Sequence, residues 1–170
     1  MCIRDRLCFS TVHNGRIDER LHDSVGMFVK TLPVVVVPDP LQNLGDYLQG
    51  IRSDMKELWL HQTYPFSRMV TNYGVAMDLT YIFQKGILDC FEMPQGNVRM
   101  EYLYEKSTHD KLNINIFQYP EDFEIRCEYN NSLYDRVYMK VFAASMKNAL
   151  LENMAADPLK TTCSQITITN

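Results

Sequence analysis

The side chains best suited to acid–base, nucleophilic or metal chemistry are four histidines and five cysteines, which are scattered along the chain. No two histidines are adjacent, and no carboxylate stands at a spacing that would orient His61 as a general base. The chain contains no CxxC pair, zinc-ligand cluster, P-loop, GxSxG elbow or HExxH motif. The sequence therefore predicts no catalytic residue and no metal site among His13, His22, His61, His109, Cys2, Cys8, Cys90, Cys127 and Cys163.

Composition narrows the class of protein. A length of 170 residues suits one domain, and 46% hydrophobic with 22% charged residues is ordinary for a globular chain. A net charge of -4 gives no basic footprint for nucleic acid, and no apolar run approaches the roughly 18 residues that span a bilayer. The odd, scattered cysteines favour reduced thiols and a cytoplasmic location. Cys127 falls on the apolar phase of a predicted strand, which favours a small buried hydrophobe over a nucleophile.

The N-terminal residues 1–8, MCIRDRLC, stand apart from the rest. They contain two arginines and an aspartate but no apolar core, so they do not form a signal peptide. We expect residues 1–8 to be a non-native leader and residues 9–170 to form the domain, with the chain starting in the middle of a longer protein.

Residues 25–37 contain the strongest strand signal. Val34, Val35, Val36 and Val37 are four consecutive β-branched residues, which fit a pleated surface. Because the run is continuously apolar and lies near prolines, it predicts a strand buried on both faces at the centre of a sheet.

Three helices are expected around that sheet. The first is capped by Asp39, carries an apolar stripe and ends near His61. A short second helix covers residues 67–72. The third begins at Asp135 and ends before Asp157, with these side chains turned inward: Tyr138, Phe142, Met146, Leu150 and Met154.

Further strands are predicted at residues 9–13, 77–84 and 98–104, with a short terminal strand or tail at 166–169. Alternation of apolar and polar residues over 112–116 and 123–129 predicts an antiparallel hairpin with one wet face. The elements together predict an α/β fold, an α+β sandwich in which helices cover one face of a mixed sheet.

Several short motifs stand in a fixed order along the chain. Asn14-Gly15-Arg16 comes first, then VGMFVKTLP at residues 25–33 and HQTYPF at 61–66. Near the end stand EYN at 128–130, LYD at 133–135 and ADP at 156–158. This ordered set resembles the C-terminal half of condensation domains from nonribosomal peptide synthetases, whose patterns are (N)GR, (I/V)GxFVNTxP, HQDYPFE and LEYN…LFD…ADP. The resemblance covers roughly residues 9–168.

The resemblance implies one half of a chloramphenicol acetyltransferase-like fold. The whole domain would join a carrier-bound acyl or peptidyl donor to the amine of a carrier-bound aminoacyl acceptor. The implied partners are an N-terminal condensation half, peptidyl and aminoacyl carrier proteins and an adjacent adenylation domain. No cofactor would bind directly, because the phosphopantetheine arms belong to the carriers.

In such a domain the matched positions would line one wall of the tunnel between the two halves. The resemblance implies that Arg16 supports the turn that faces the substrate channel. The alternative is a solvated loop or short helix over residues 16–23, and for His61 a capping or packing role. The candidate tunnel-wall residues are Asn14, Gly15, Arg16, Val25, Gly26, Phe28, Lys30, Thr31, His61, Gln62, Tyr64, Pro65 and Phe66.

The surface that would face the N-terminal half is expected around Gly15 and Arg16, around Lys30 and Thr31, and along residues 82–96. The last segment is too apolar for an ordinary exposed loop. Its alternative is to fold back and cap its own sheet.

The chain departs from the family pattern in three ways. Lys30 replaces the asparagine of FVNT, and TNYGVA at residues 71–76 replaces RDxSRNPLF. The family's HHxxxDG motif, which belongs to the N-terminal half, is missing. We therefore expect a fragment that is inactive alone. Two alternatives stay open: a non-catalytic module that docks carrier proteins, and half of a two-chain acyltransferase.

Overall fold

The described part of the chain forms a five-stranded mixed sheet, three α-helices and a small separate hairpin. A computed structural model describes residues 6–74, 77–85, 91–98 and 111–165. The strands are β1 (Leu7–His13), β2 (Lys30–Val36), β3 (Leu79–Lys85), β4 (Phe91–Met93), β5 (Gly96–Val98), β6 (Leu112–Gln118) and β7 (Phe123–Tyr129). The helices are α1 (Leu44–Leu60), α2 (Phe66–Tyr73) and α3 (Arg136–Ala155).

The sheet has the strand order β2-β1-β3-β6-β7, and the outermost pair of strands at each end is antiparallel. β1 pairs antiparallel with β2 and β6 with β7, whereas β3 pairs parallel with both β1 and β6. The predicted α/β class, the mixed sheet and the β6–β7 hairpin are therefore confirmed. β4 and β5 pair only with each other among the described strands.

The strand with the valine run lies at the edge of the sheet, so its predicted central position is wrong. β2 pairs with β1 alone among the described strands. Leu32 and Val34 are 1% and 7% exposed, but Val35 is 49% exposed. Pro33 explains the placement, because proline has no N–H to donate and is confined within sheets to edges, strand starts and bulges.

Two predicted strands have shifted ends. β1 begins at Leu7, so Leu7 and Cys8 pair with Val36 and Val35 and belong to the sheet. The non-native origin of the leader stays a prediction. β3 begins two residues later than expected. Of the strand predicted at 98–104, only Val98 lies within the described residues. The terminal strand or tail predicted at 166–169 lies outside them.

The core lies between β6 and α3. Leu112, Ile114 and Ile116 point to one face of the sheet and pack on Met139, which is 4% exposed. The opposite face of β6 is buried as well, since Phe117 is also inaccessible. The predicted wet face of the hairpin is therefore wrong for β6, where Asn115 is also buried and the Arg126 guanidinium lies 4.6 Å from the centroid of the Phe117 ring.

Helix α3 has the predicted cap, but the side of the helix that faces the core differs from the prediction. Asp135 Oδ1 accepts hydrogen bonds from the backbone N–H groups of Val137 and Tyr138, at 2.7 and 3.4 Å. Phe142 and Met146 pack on the core as expected. The other three side chains that were predicted to face the core are exposed: Tyr138, Leu150 and Met154. Residues spaced strictly four apart drift around the helix by about 40° per step, so all five positions cannot stay on one face.

Helix α1 is capped by Asn43 and not, as predicted, by Asp39. Asn43 Oδ1 accepts from the N–H of Gly45 at 2.9 Å. Asp39 instead closes a turn by accepting from the N–H of Leu41. The segment that follows α3 completes the cap, because the carbonyls of Pro158 and Thr161 accept first-turn N–H groups, each at 2.8 Å. No helix in the described ranges combines the length and apolar character of a bilayer span.

Replacing Leu32 with alanine tests the burial pattern of β2. We expect a loss of about 2–5 kcal/mol in the free energy of unfolding, because the side chain is fully buried. Val35→Ala on the same strand should cost less than about 1 kcal/mol, since half of that side chain is in solvent. Urea unfolding of both variants measures the difference, and equal losses would contradict the alternation of buried and exposed positions.

Acid should destabilise the fold partly through Glu124 on β7. Its hydrogen bond with Arg126 Nε, at 2.5 Å, holds the pKa of Glu124 below its ordinary 4.5. The folded state therefore binds fewer protons than the unfolded state, so this stabilisation is present above pH 4.5 and is lost as the pH falls below it. The side chain is 41% exposed, and solvent screening limits the contribution to about 1 kcal/mol or less.

The measurement compares urea midpoints at neutral pH and near pH 3 for the wild type and Glu124→Gln. The variant should lose less stability on acidification than the wild type. Asp78, whose pKa is lowered by its bond to Lys111, titrates in both proteins and so cancels in the comparison. A variant with an unchanged acid response would show that the Glu124–Arg126 pair contributes nothing.

Candidate functional site

The loop between β1 and β2 is organised by a close backbone approach at Gly15. Gly15 is buried with a φ of +69°, a left-handed conformation that favours glycine. A β-carbon at this position would lie 1.8 Å from the carbonyl oxygen of Phe28. Side-chain acceptors complete the turn: His13 Nδ1 accepts the N–H of Gly15 at 3.2 Å, and Asn14 Oδ1 accepts that of Arg16 at 3.1 Å.

Arg16 braces the rest of the loop from inside. Its Nε donates to the carbonyl of Leu21 at 3.1 Å, and its Nη2 donates to that of Ser24 at 3.0 Å. The guanidinium also stands 4.7 Å from the ring centroid of Phe28, within cation–π range. The side chain of Arg16 is therefore engaged by the backbone of its own loop, and its role toward a substrate stays a prediction.

The far side of the loop is apolar and exposed. Val25 and Met27 are 103% and 90% exposed, while Phe28 is half-buried. Gly26 lies directly against the Phe28 ring, since a β-carbon there would be 3.2 Å from Cε2. The segment thus projects two apolar side chains around a fixed aromatic ring.

Lys30 and Thr31 start the edge strand immediately after this loop. Lys30 lies opposite His13 in the β1–β2 pairing, and Thr31 lies opposite Val12. Lys30 is exposed. The cation that replaces the family's asparagine therefore stands at the surface beside the Gly15 turn.

The second group of candidate residues forms the junction between α1 and α2. His61 ends α1 as its C-cap: its backbone N–H bonds the carbonyls of Leu58 and Trp59, while its side chain is exposed. Gln62 is 6% exposed and its Nε2 donates to the carbonyl of Trp59 at 2.9 Å. Three further candidates complete the junction: Tyr64 exposed, Pro65 at the N-terminus of α2, and Phe66 half-buried in its first turn.

The two groups meet through one aromatic contact. The rings of His13 and Trp59 have centroids 5.6 Å apart and are inclined at 38°. The structure therefore brings the Gly15 turn close to the α1–α2 junction. Of the described histidines, none forms a hydrogen bond with a carboxylate, and the described residues hold no cluster of metal-binding side chains.

Cys127 packs as the sequence predicted. It lies on the core face of β7 opposite Ile114 and touches the buried cluster. Burial raises the pKa of the Cys127 thiol, which therefore stays protonated at neutral pH. This environment favours a packing role over nucleophilic chemistry.

A groove of about 410 Å³ between β2 and α1 was missed by the sequence reasoning. One wall is the segment from Pro33 to Val37 at the end of β2, and the other is the side of α1 that carries Ile51, Asp54 and Met55. The signal in the sequence that could have indicated the groove was Pro33, because a proline within an apolar run marks an edge strand.

Gly15→Ala should be among the most damaging single changes in the chain. We expect a loss of roughly 3–5 kcal/mol in the free energy of unfolding, because the new methyl group meets the Phe28 carbonyl at 1.8 Å. Gly50→Ala in exposed α1 is the matched control, since nothing lies within 4 Å of its β-carbon. That change should stabilise by up to about 1 kcal/mol. Urea unfolding measures both, and similar midpoints would refute the close approach.

The sequence of this chain is similar to a protein family and to several larger proteins. The model of the condensation domain family matches residues 1–170. Tyrocidine synthase 3 of Brevibacillus parabrevis is 26% identical over 150 residues, which cover 82% of this chain and 2% of that protein. Bacitracin synthase 1 of Bacillus licheniformis is 21% identical over 152 residues, which cover 85% of this chain and 3% of that protein. The chain thus spans a small part of these relatives.

Solved structures share the fold. The starter condensation domain of rhizomide synthetase RzmA has a TM-score of 0.74 at 14% identity, covering 98% of this chain and 40% of that one. The four-domain nonribosomal peptide synthetase AB3403 has a TM-score of 0.76 at 16% identity, covering 98% and 14%. With the family model matching the whole sequence, the chain belongs to the condensation domain family.

Proposed function

We propose that this chain forms the C-terminal half of a nonribosomal peptide synthetase condensation domain. The observation that carries the proposal is the family match over residues 1–170, combined with coverage of only 40% of a solved condensation domain. The order of the motifs from Asn14 to Pro158 supports the C-terminal assignment.

The proposed reaction joins two carrier-bound substrates. The amine of the aminoacyl acceptor attacks the thioester carbonyl of the donor, a C–N bond forms and the C–S bond breaks. The amine loses a proton, and the donor's phosphopantetheine arm leaves as a thiol. The proposed neighbours are therefore the two carrier proteins and an adenylation domain that loads one of them.

In this proposal the chain contributes a wall of the tunnel and no proton-transfer group. The Gly15 turn and the Arg16 brace hold the loop rigid, and the loop presents Val25, Met27 and Lys30 at the surface. The HHxxxDG histidines would come from the N-terminal half. One feature supports a partner on this side: the loop exposes the apolar side chains of Val25 and Met27.

A split-domain experiment tests the proposal. The chain is co-expressed with the N-terminal half of a condensation domain that carries HHxxxDG, and the pair is incubated with loaded donor and acceptor carriers. We expect a stable complex by light scattering and dipeptidyl product by mass spectrometry. Either half alone should give background only, since general acid–base help is typically worth 10²–10⁴-fold.

Two variants act as controls. His61→Ala should leave product formation unchanged, because the His61 side chain is exposed and outside the proposed chemistry. Alanine at the second histidine of the partner's motif should abolish it. A complex without turnover would favour the non-catalytic docking module, and turnover by this chain alone would overturn the proposal.

A further inference from the structure

Helix α3 is apolar on two opposite sides. One side, with Met139, Phe142 and Met146, packs on the core. The other side carries the α3 stripe, which we define as Val137, Val141, Ala144, Asn148 and Leu151. These spacings keep the five residues within about 40° of one line along the helix.

The α3 stripe is open to solvent along its length. Val137, Val141 and Leu151 are 70%, 51% and 55% exposed, and Ala144 and Asn148 are exposed between them. Isolated surface hydrophobes need no explanation, but a helix that is apolar on opposite sides is characteristic of a buried helix. From Val137 to Leu151 the stripe is about 21 Å long, equivalent to four turns of a partner helix.

One flank of the stripe is a row of cations. Arg136, Lys140 and Lys147 lie on the same side of the helix, at spacings of four and seven residues. All three are exposed, and within the described part of the chain none forms an ion pair with a carboxylate. The row gives the surface a definite charge, which a partner would complement.

We propose that the α3 stripe is a docking surface for an amphipathic helix whose apolar face is bordered by aspartate or glutamate. Valine and leucine side chains would supply the apolar contact, and the small Ala144 at the centre lets two helix axes approach closely. The acidic border would lie along Arg136, Lys140 and Lys147. The surface is distinct from the Gly15 loop and does not depend on amide-bond formation.

Two other occupants fit less well. If two copies packed α3 against α3 in antiparallel fashion, the cationic flanks would coincide and bring Lys140 of one copy opposite Lys147 of the other. A membrane-surface helix keeps a fully polar face toward water, whereas the face of α3 opposite the stripe packs on the core. Asn148 within the stripe also opposes burial among acyl chains.

A designed peptide tests the surface directly. The probe is a fluorescent 16-residue helical peptide with leucines at helical spacing and glutamates along one flank; its match carries lysines at the glutamate positions. We expect the glutamate peptide to bind the full chain with an affinity that falls as salt is added. The lysine peptide should bind at least about tenfold more weakly in fluorescence anisotropy.

Three variants make the test specific. Val141→Glu should weaken binding of the glutamate peptide by about tenfold or more. The double variant Lys140→Glu with Lys147→Glu should reverse the preference between the peptides, and as an exposed change it should leave the thermal melt unaltered. Leu48→Glu on α1 should have no effect, since its exposure of 50% matches the 51% of Val141.

Other outcomes overturn the proposal. Peptide binding that survives both the Val141 and the double lysine change would place the contact elsewhere. Binding to anionic phospholipid vesicles that Val141→Glu removes would make the occupant a membrane. A concentration-dependent dimer in light scattering, removed by the same change, would make it a second copy of this chain.

Discussion

The sheet depends on a narrow junction between β1 and β3, where two residue pairs are in register. Every other adjacent pair of strands in this sheet is in register over seven residues. At the junction the hydroxyls of Ser10 and Thr80 are 2.8 Å apart and both side chains are buried. On the other face, the rings of Phe9 and Tyr81 meet edge to face at 6.1 Å. A buried hydroxyl pair is satisfied in one alignment, so it fixes how the two parts of the sheet meet.

The junction separates the two surfaces on which the two proposals rest. On one side lie β1, β2 and the Gly15 loop, joined to α1 through the His13–Trp59 contact. On the other side lie β6, β7 and α3, which contain the main core. The candidate tunnel wall and the α3 stripe therefore belong to opposite ends of one sheet.

The sequence predicted the elements well and their placement less well. The class, the β6–β7 hairpin and the Asp135 cap depend on local patterns, and local patterns are visible in one sequence. The position of β2 is a tertiary property, and only Pro33 signalled the edge. The start of α1 was placed wrongly because its cap is completed by the carbonyls of Pro158 and Thr161, which are more than a hundred positions away in the sequence. The candidate residues were found by resemblance, whereas the contact between Gly15 and the Phe28 carbonyl required coordinates.

The loop also shows what this chain is able to contribute to a reaction. The polar side-chain atoms of His13, Asn14 and Arg16 form hydrogen bonds with the backbone of the loop. Such internal bonding braces the loop and uses these polar atoms within it. Just before and at the start of β2, Val25, Met27 and Lys30 are exposed, while Glu19, Arg20, His22 and Asp23 are exposed earlier in the loop. In the proposed condensation domain, a braced loop of this kind would orient a thioester-bound substrate and exclude water, while proton transfer would come from the histidines of the facing half.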